Sequence, residues 1–164
     1  MLVIEPYRFT CSAAPDVEYE VGVVSPDLRA EMESIFAVRM TVFVEEQAVP
    51  AEEELDAYDL TSVHFMLRAI TDESGAVGTA RLIDKGHGVA KIGRVAVLKE
   101  HRGRGVGLEL MRHTERYARA SRYTEMVLEA QCHAIPFYEK LGYVAEGPVF
   151  LDANIEHRVM RRSL

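Results

Sequence analysis

The chain has 164 residues, 48% hydrophobic and 27% charged, which fits one globular domain over residues 1–164 with a core of its own. No apolar run reaches the length of a membrane span, and a formal net charge of −7 argues against a general nucleic-acid binder. Met1 to Thr10 has no secretory pattern, and Cys11 and Cys132 have no metal-type spacing, so reduced thiols in a cytoplasmic protein are expected.

Residues 1–17, with Pro6 and Pro15, read as a tail or an accessory strand, and Tyr19 to Val24 as a first strand. Ser25-Pro26-Asp27 has the make-up of a helix start: serine as cap, proline at the first helical position, aspartate at the positive end. Leu28, Met32, Ile35, Phe36 and Arg39 follow at helical spacing and carry that helix to about Met40. From Thr41 to Leu67 there is no lysine or arginine, while Glu45, Glu46, Glu52, Glu53, Glu54, Asp56 and Asp59 fall in the same window. Two readings compete: a solvated acidic loop, or an acidic wall that attracts a cationic substrate.

Val63 to Ile70 is a predicted strand, Asp72 to Gly75 a turn, Ala76 to Ile83 a second strand, Lys85 to Gly88 a second turn, and Val89 to Leu98 the third member of an antiparallel meander. The third strand runs into Lys99-Glu100-His101-Arg102-Gly103-Arg104-Gly105-Val106-Gly107 and then into an amphipathic helix. That helix has Gly107, Leu110, Met111, Thr114, Tyr117 and Ala118 on one face, with Glu109, Arg112, Arg116 and Arg119 on the other. Glu125 to Ala130 is another apolar strand. Gln131 to Tyr143 holds a short helix with Pro136 in its first turn and Gly142 at its end, and short strands follow near 143–145 and 155–161.

The glycine turn is the strongest chemical signal. A helix N-terminus presents unpaired N–H groups and a partial positive charge, and glycines let an anion approach them. The plain alternative, a βα turn needing glycine only for its backbone angles, leaves the flanking Arg102 and Arg104 unexplained. A nucleoside-triphosphate loop would end in Gly-Lys-Ser/Thr, and here the loop ends Gly107-Leu108-Glu109. A dinucleotide fingerprint would put a third glycine at Leu108 and the loop near the start of a parallel fold; Glu129 alone imitates its ribose-binding acid.

The remaining pattern, Arg102-x-x-Gly105-x-Gly107, resembles the coenzyme signature of the GNAT N-acetyltransferases. A second motif, Ala134-x-x-Phe137-Tyr138-Glu139-Lys140-Leu141-Gly142-Tyr143, is similar to the segment that follows it in that family. A narrower likeness is to the ElaA/YjcF-like branch. It rests on Arg39-x-x-Val42-Phe43-Val44-x-Glu46-Gln47, Asp56, Asp59, His64, Ile92-Gly93-Arg94-Val95 and His157-x-x-Met160. The resemblance covers roughly residues 20 to 162. It implies an α+β, GNAT-like fold: a mixed, mostly antiparallel central sheet flanked by helices, with a coenzyme A cleft between splayed central strands.

It further implies acetyl-CoA as co-substrate and no metal. The backbone of Val95, Ala96 and Val97 would pair with the pantetheine arm like an added strand. The backbone N–H groups of Arg102, Gly103, Arg104, Gly105, Val106 and Gly107 would hold the pyrophosphate. Tyr138 would face the sulfur and protonate the leaving thiolate, and Gln131 stands where the family often has asparagine. The chemistry adds its own demands. A lysine-like amine has a pKa near 10 and attacks only when neutral, so a base is required. The candidates are Glu46, Glu129 and His157, with Gln47 beside Glu46 as an acceptor contact. The growing negative charge on the carbonyl oxygen needs a donor, for which a backbone N–H near Val97 is suited. Adjacent Cys132 and His133 do not aim at one another as a nucleophile and base must. Two functions follow as expectations: an N-acetyltransferase acting on a small-molecule or peptide amine, or a non-catalytic acyl-CoA-binding module. Neither nucleic acid nor membrane is an expected partner, and the oligomeric state is open to a homodimer.

Overall fold

The computed structural model describes residues 2–71, 73 and 75–164. Of the turn expected at Asp72 to Gly75, Asp72 and Ser74 lie outside the described residues, as does Met1. The elements are β1 (Tyr7–Cys11), β2 (Ala14–Val24), α1 (Arg29–Arg39), α2 (Ala51–Glu54), β3 (Val63–Ala69), β4 (Ala76–Asp84), β5 (Val89–Val97), α3 (Val106–Ala120), β6 (Glu125–Gln131), α4 (Ile135–Glu139), β7 (Val144–Asp152) and β8 (Ile155–Ser163). They build one eight-stranded sheet in the order β1-β2-β3-β4-β5-β6-β8-β7. All its pairings are antiparallel except β5 with β6. Among the described residues no helix is long and apolar enough to cross a membrane.

The alternation of side chains along each strand sets the two faces. Phe65, Leu67 and Val77 pack with Leu110 and Met111 of α3, whereas the intervening Met66 and Ala76 pack with the α1 side, next to Ile35 and Val38. The meander and the helix after the glycine turn thus sit where the sequence puts them.

Three expectations need correction. The first helix starts at Arg29, not at Pro26: Leu28 N–H closes a turn on the Ser25 carbonyl at 3.0 Å, and the Ser25 hydroxyl bonds the Asp27 carboxylate rather than a helix N–H. Residues 1–17 do hold an accessory strand, β1, and the strand expected at Tyr19 begins as early as Ala14, because Ser12 and Ala13 turn the chain into a hairpin and Pro15 is tolerated at a strand start. The strand near 143–145 runs on to Asp152, since Gly147 (φ +71°) and Pro148 sit in an irregularity of the sheet's last strand instead of ending it.

One buried group on α3 makes the fold acid-sensitive. His113 is 1% exposed; Arg116 Nη2 donates to its Nδ1 at 3.1 Å, and its Nε2 has no partner among the described residues. Burial first, and the Arg116 charge second, lower its pKa to about 4. The unfolded chain takes up this proton below about pH 6.5 and the folded chain only near 4, so stability falls as pH drops through that window. Urea unfolding at pH 7 and pH 4.5 should show a loss to which His113 contributes on the order of 3 kcal/mol, and His113→Leu should shrink that loss. Equal losses in the two proteins would show that His113 is not the titrating group.

Candidate active site

The cleft originates in one irregularity of β5. Arg81 faces Gly93 and Thr79 faces Ala96, so Ala80 alone opposes both Arg94 and Val95. Arg94 adopts a left-handed backbone, φ +52°. Such a bulge bends its strand. Parallel pairing of β5 with β6 accordingly stops at Ile92 and Leu128, leaving 93–97 separated from 129–131. The gap opens into a cavity of about 580 Å³ whose walls include Val95, Ala96, Val97, Arg102, Glu129, Gln131, Tyr138 and His157. These residues span more than sixty positions of sequence, and each was singled out there for cofactor or catalytic duty.

At one end of the gap lies the glycine turn. A 3₁₀ turn at Lys99–His101 leads into Gly103 (φ +74°) and Gly105 (φ +79°), and Gly105 caps α3 in the left-handed conformation that glycine adopts without steric penalty. The first N–H groups of α3, from Val106 on, point out of the helix start without intrahelical acceptors. Gly107 serves packing instead: a Cβ there would meet the Phe137 ring at 3.3 Å. The two arginines divide their tasks. Arg102 holds the Val97 carbonyl through Nε (2.8 Å) and Glu46 through Nη2 (2.7 Å), and its own N–H is committed to the Lys99 carbonyl at 3.2 Å. Arg104 turns back to the Tyr19 hydroxyl at 2.9 Å, which also meets His101 Nδ1 at 2.8 Å.

Tyr138 lies in the cleft wall, its ring edge-on to Phe137 and Tyr143. Burial pushes its hydroxyl pKa up, so it carries its proton at any physiological pH. The three base candidates differ sharply. Glu46 is bound to Arg102 and does not line the cavity. Glu129 lines it but pairs with Lys91 at 3.2 Å, with its side chain 39% exposed. His157 is 9% exposed and stacks on Phe150 (centroids 5.8 Å apart). Its Nδ1 lies 2.7 Å from the Ile155 carbonyl. Because a carbonyl only accepts, a proton sits on Nδ1, which leaves Nε2 as the ring nitrogen not engaged by that bond.

The acidic segment divides: Glu45, Glu46, Glu52 and Glu53 are exposed, while its later acids are drawn into the fold. Glu54 and Asp59 are buried, and with Asp56 they are neutralised by arginines from other elements. Arg39 reaches Glu54 (2.8 Å) and Asp59 (2.7 Å), Arg81 reaches Asp56 (2.7 Å) and Asp59 (2.9 Å), and Arg94 reaches Glu54 (3.0 Å) and Asp56 (3.3 Å). Of the segment's acids, Glu53 lines the cavity and makes no ion pair among the described residues. A second such acid, Asp152, escaped the sequence reading. It precedes the two-residue β7–β8 turn, whose Ala153 (φ +49°) and Asn154 (φ +62°) are both left-handed, and only that pairing brings it to the cleft. Gln47 also lines the cavity, joined to Gln131 by reciprocal amide bonds of 3.2 and 2.7 Å.

An open strand gap beside a glycine-capped helix start, with a buried tyrosine in its wall, is the arrangement expected of an acyl-CoA N-acyltransferase. The profile of the acetyltransferase (GNAT) family matches residues 29–143, and the chain belongs to that family. It is 41% identical over 133 residues to YjcF of Bacillus subtilis, an uncharacterized N-acetyltransferase, covering 80% of this chain and 92% of YjcF. Among solved structures it is similar to an acyl-CoA N-acyltransferase from Pseudomonas aeruginosa (TM-score 0.78, 31% identity, 88% of this chain and 99% of that one). It is also similar to Escherichia coli ElaA (TM-score 0.77, 26% identity, 89% and 99%).

For a protonated tyrosine in the wall of an acyl-transfer cleft, removal of the hydroxyl alone is the informative change. Tyr138→Phe should lower kcat about 100-fold while leaving the KM for the acyl donor within about two-fold, the signature of a lost transition-state proton. Steady-state thiol release measures both, and wild-type turnover would reduce Tyr138 to a packing residue.

Proposed function

We propose that this protein transfers the acetyl group of acetyl-CoA to a primary amine by direct attack. The observation that supports this most is the alignment of the strand gap at 93–97 with the α3 start. A pantetheine arm laid along β5 as an added strand would bring its pyrophosphate to Gly103, Arg104, Gly105, Val106 and Gly107, and its sulfur toward Tyr138. When bound, the coenzyme supplies the activated thioester; the chain supplies position and proton traffic. Arg102 sits between the Val97 carbonyl and the glycine turn, ready to add positive charge at the pyrophosphate. His157, through Nε2, takes the proton from the attacking amine, directly or through a water. A backbone N–H at β5 near Val97 steadies the carbonyl oxygen, and Tyr138 returns a proton to the thiolate. Free thiols at Cys11 and Cys132 suit a cytoplasmic setting.

Charge arithmetic along the walls supports a cationic acceptor. Arg39, Arg81 and Arg94 are matched by Glu54, Asp56 and Asp59, Lys91 by Glu129, and Arg102 by Glu46. What remains unmatched is Glu53 and Asp152. A polyamine, an aminosugar or a basic peptide end fits that residual negative field.

Two measurements test this reading. Gly105→Asp puts a charged side chain into the anion cradle at a left-handed position; calorimetry should show coenzyme A binding lost while the circular dichroism spectrum is kept. Unchanged affinity sinks the coenzyme assignment, and coenzyme binding without thiol release across a broad amine panel leaves an acyl-CoA-binding module. With the acceptor that panel identifies, Glu53→Gln combined with Asp152→Asn should raise its KM several-fold with the KM for acetyl-CoA unmoved, and added salt should raise the acceptor KM in the wild type. A best acceptor that is neutral or acidic contradicts the cationic assignment.

A further inference from the structure

Resting on the coenzyme reading, we infer that Arg94 is the positioning residue of the cleft: its side chain holds the β5 bulge and so sets the backbone of 95–97 for the pantetheine arm. The first sign is a mismatch between residue and conformation. Left-handed backbone is costly for a residue with a Cβ. Glycine is the natural occupant, and one stands next door at Gly93, where a Cβ would meet nothing within 4 Å and φ is not left-handed. The chain therefore places its long side chain at the strained position and its glycine at the relaxed one. A side chain kept in that place needs compensating interactions.

Arg94 has them. Its Nε lies 3.0 Å from Glu54 Oε1, and its Nη2 donates to the carbonyls of Glu54 (3.1 Å) and Glu53 (3.4 Å) and to Asp56 Oδ2 (3.3 Å). Those carbonyls end α2, where no intrahelical N–H is available to them. The same acids hold Arg39 of α1 and Arg81 of β4, so the guanidinium moors the bulge to the helical bank of the cleft. Its side chain is 26% exposed and lines the cavity. The residues it positions follow at once: Val95, Ala96 and Val97, the stretch of β5 that has left β6 behind.

The alternative role for a cation in this wall is direct attraction of an anionic ligand, and the two make different predictions. Arg94→Gly relieves the backbone strain but leaves Glu54 and Asp56 one cation short, so the variant should fold, by circular dichroism, with a melting temperature below wild type, and it cuts the mooring. Coenzyme A affinity by calorimetry should fall at least ten-fold, and in protein without coenzyme the amide hydrogens of Val95–Val97 should exchange faster. Arg94→Lys keeps the charge and loses the planar fork, so affinity should recover only in part and the faster exchange should persist. Full recovery with lysine, or unchanged exchange at Val95–Val97 in Arg94→Gly, overturns the inference. If the wild type itself binds no coenzyme A, the functional reading fails, while the exchange measurement still decides the role of Arg94.

Discussion

The structure hangs on a buried ionic knot. Arg39, Arg81 and Arg94 face Glu54, Asp56 and Asp59, three charges of each sign, so the cluster is neutral as a whole. Arg39 is fully buried. Charges in that setting persist only when each is matched, and removing one partner costs roughly 3–5 kcal/mol because another is stranded. Asp59 is the centre. Burial alone would raise its pKa, yet the hydrogen bond and charge of Arg39, with help from the Asp56 amide and Arg81, hold it at about 2. Its carbonyl meanwhile takes the Nε2–H of His64 at 2.9 Å, and its carboxylate accepts the Asp56 N–H to close a capping box around the turn at Ala57–Leu60. One residue thereby joins α1, β3, β4 and the connection between α2 and β3.

The knot anchors the helical wall of the cleft through Glu54 and Asp56. The chain from Met40 to Glu46 continues α1 with wider π-type winding, an arrangement common at functional sites. It delivers two neighbours to opposite banks: Glu46 to Arg102 on the phosphate side, Gln47 to Gln131 at the end of β6. Arg102 holds the Val97 carbonyl and Glu46, and in the proposed function a phosphate would be a third claimant. A pyrophosphate that took the guanidinium would leave Glu46 uncompensated and add negative charge beside the cleft.

Much of the coenzyme half was legible in the sequence, because its determinants are local. A β-rich run, glycines at alternate positions and an amphipathic helix follow one another from Ile92 to Ala118, and each signal acts over a few residues. The acceptor half was not legible, for two physical reasons. The acids from Glu54 to Asp59 look unopposed because their arginines lie 15 to 40 positions away in sequence, at Arg39, Arg81 and Arg94. Composition in a window cannot reveal pairing across a sheet. Asp152 was invisible because β7 carries Gly147 and Pro148, which read as a break, and only the continued pairing with β8 brings the turn to the cleft.

That asymmetry follows from what each half must recognise. In the proposed function the coenzyme's arm and pyrophosphate would be met mainly by backbone groups, for which the sequence need only supply a bulge, a gap and glycines. An amine acceptor would be met by side chains gathered from α2, β6 and the β7–β8 turn, which lie far apart in sequence. Arg94 stands where the two halves meet: its backbone makes the bulge that opens the coenzyme gap, and its guanidinium grips the helix that carries Glu53. Strain at that one residue thus sits between the strand gap and the helical wall of the cleft, and the ionic knot supplies the interactions that let the strain persist.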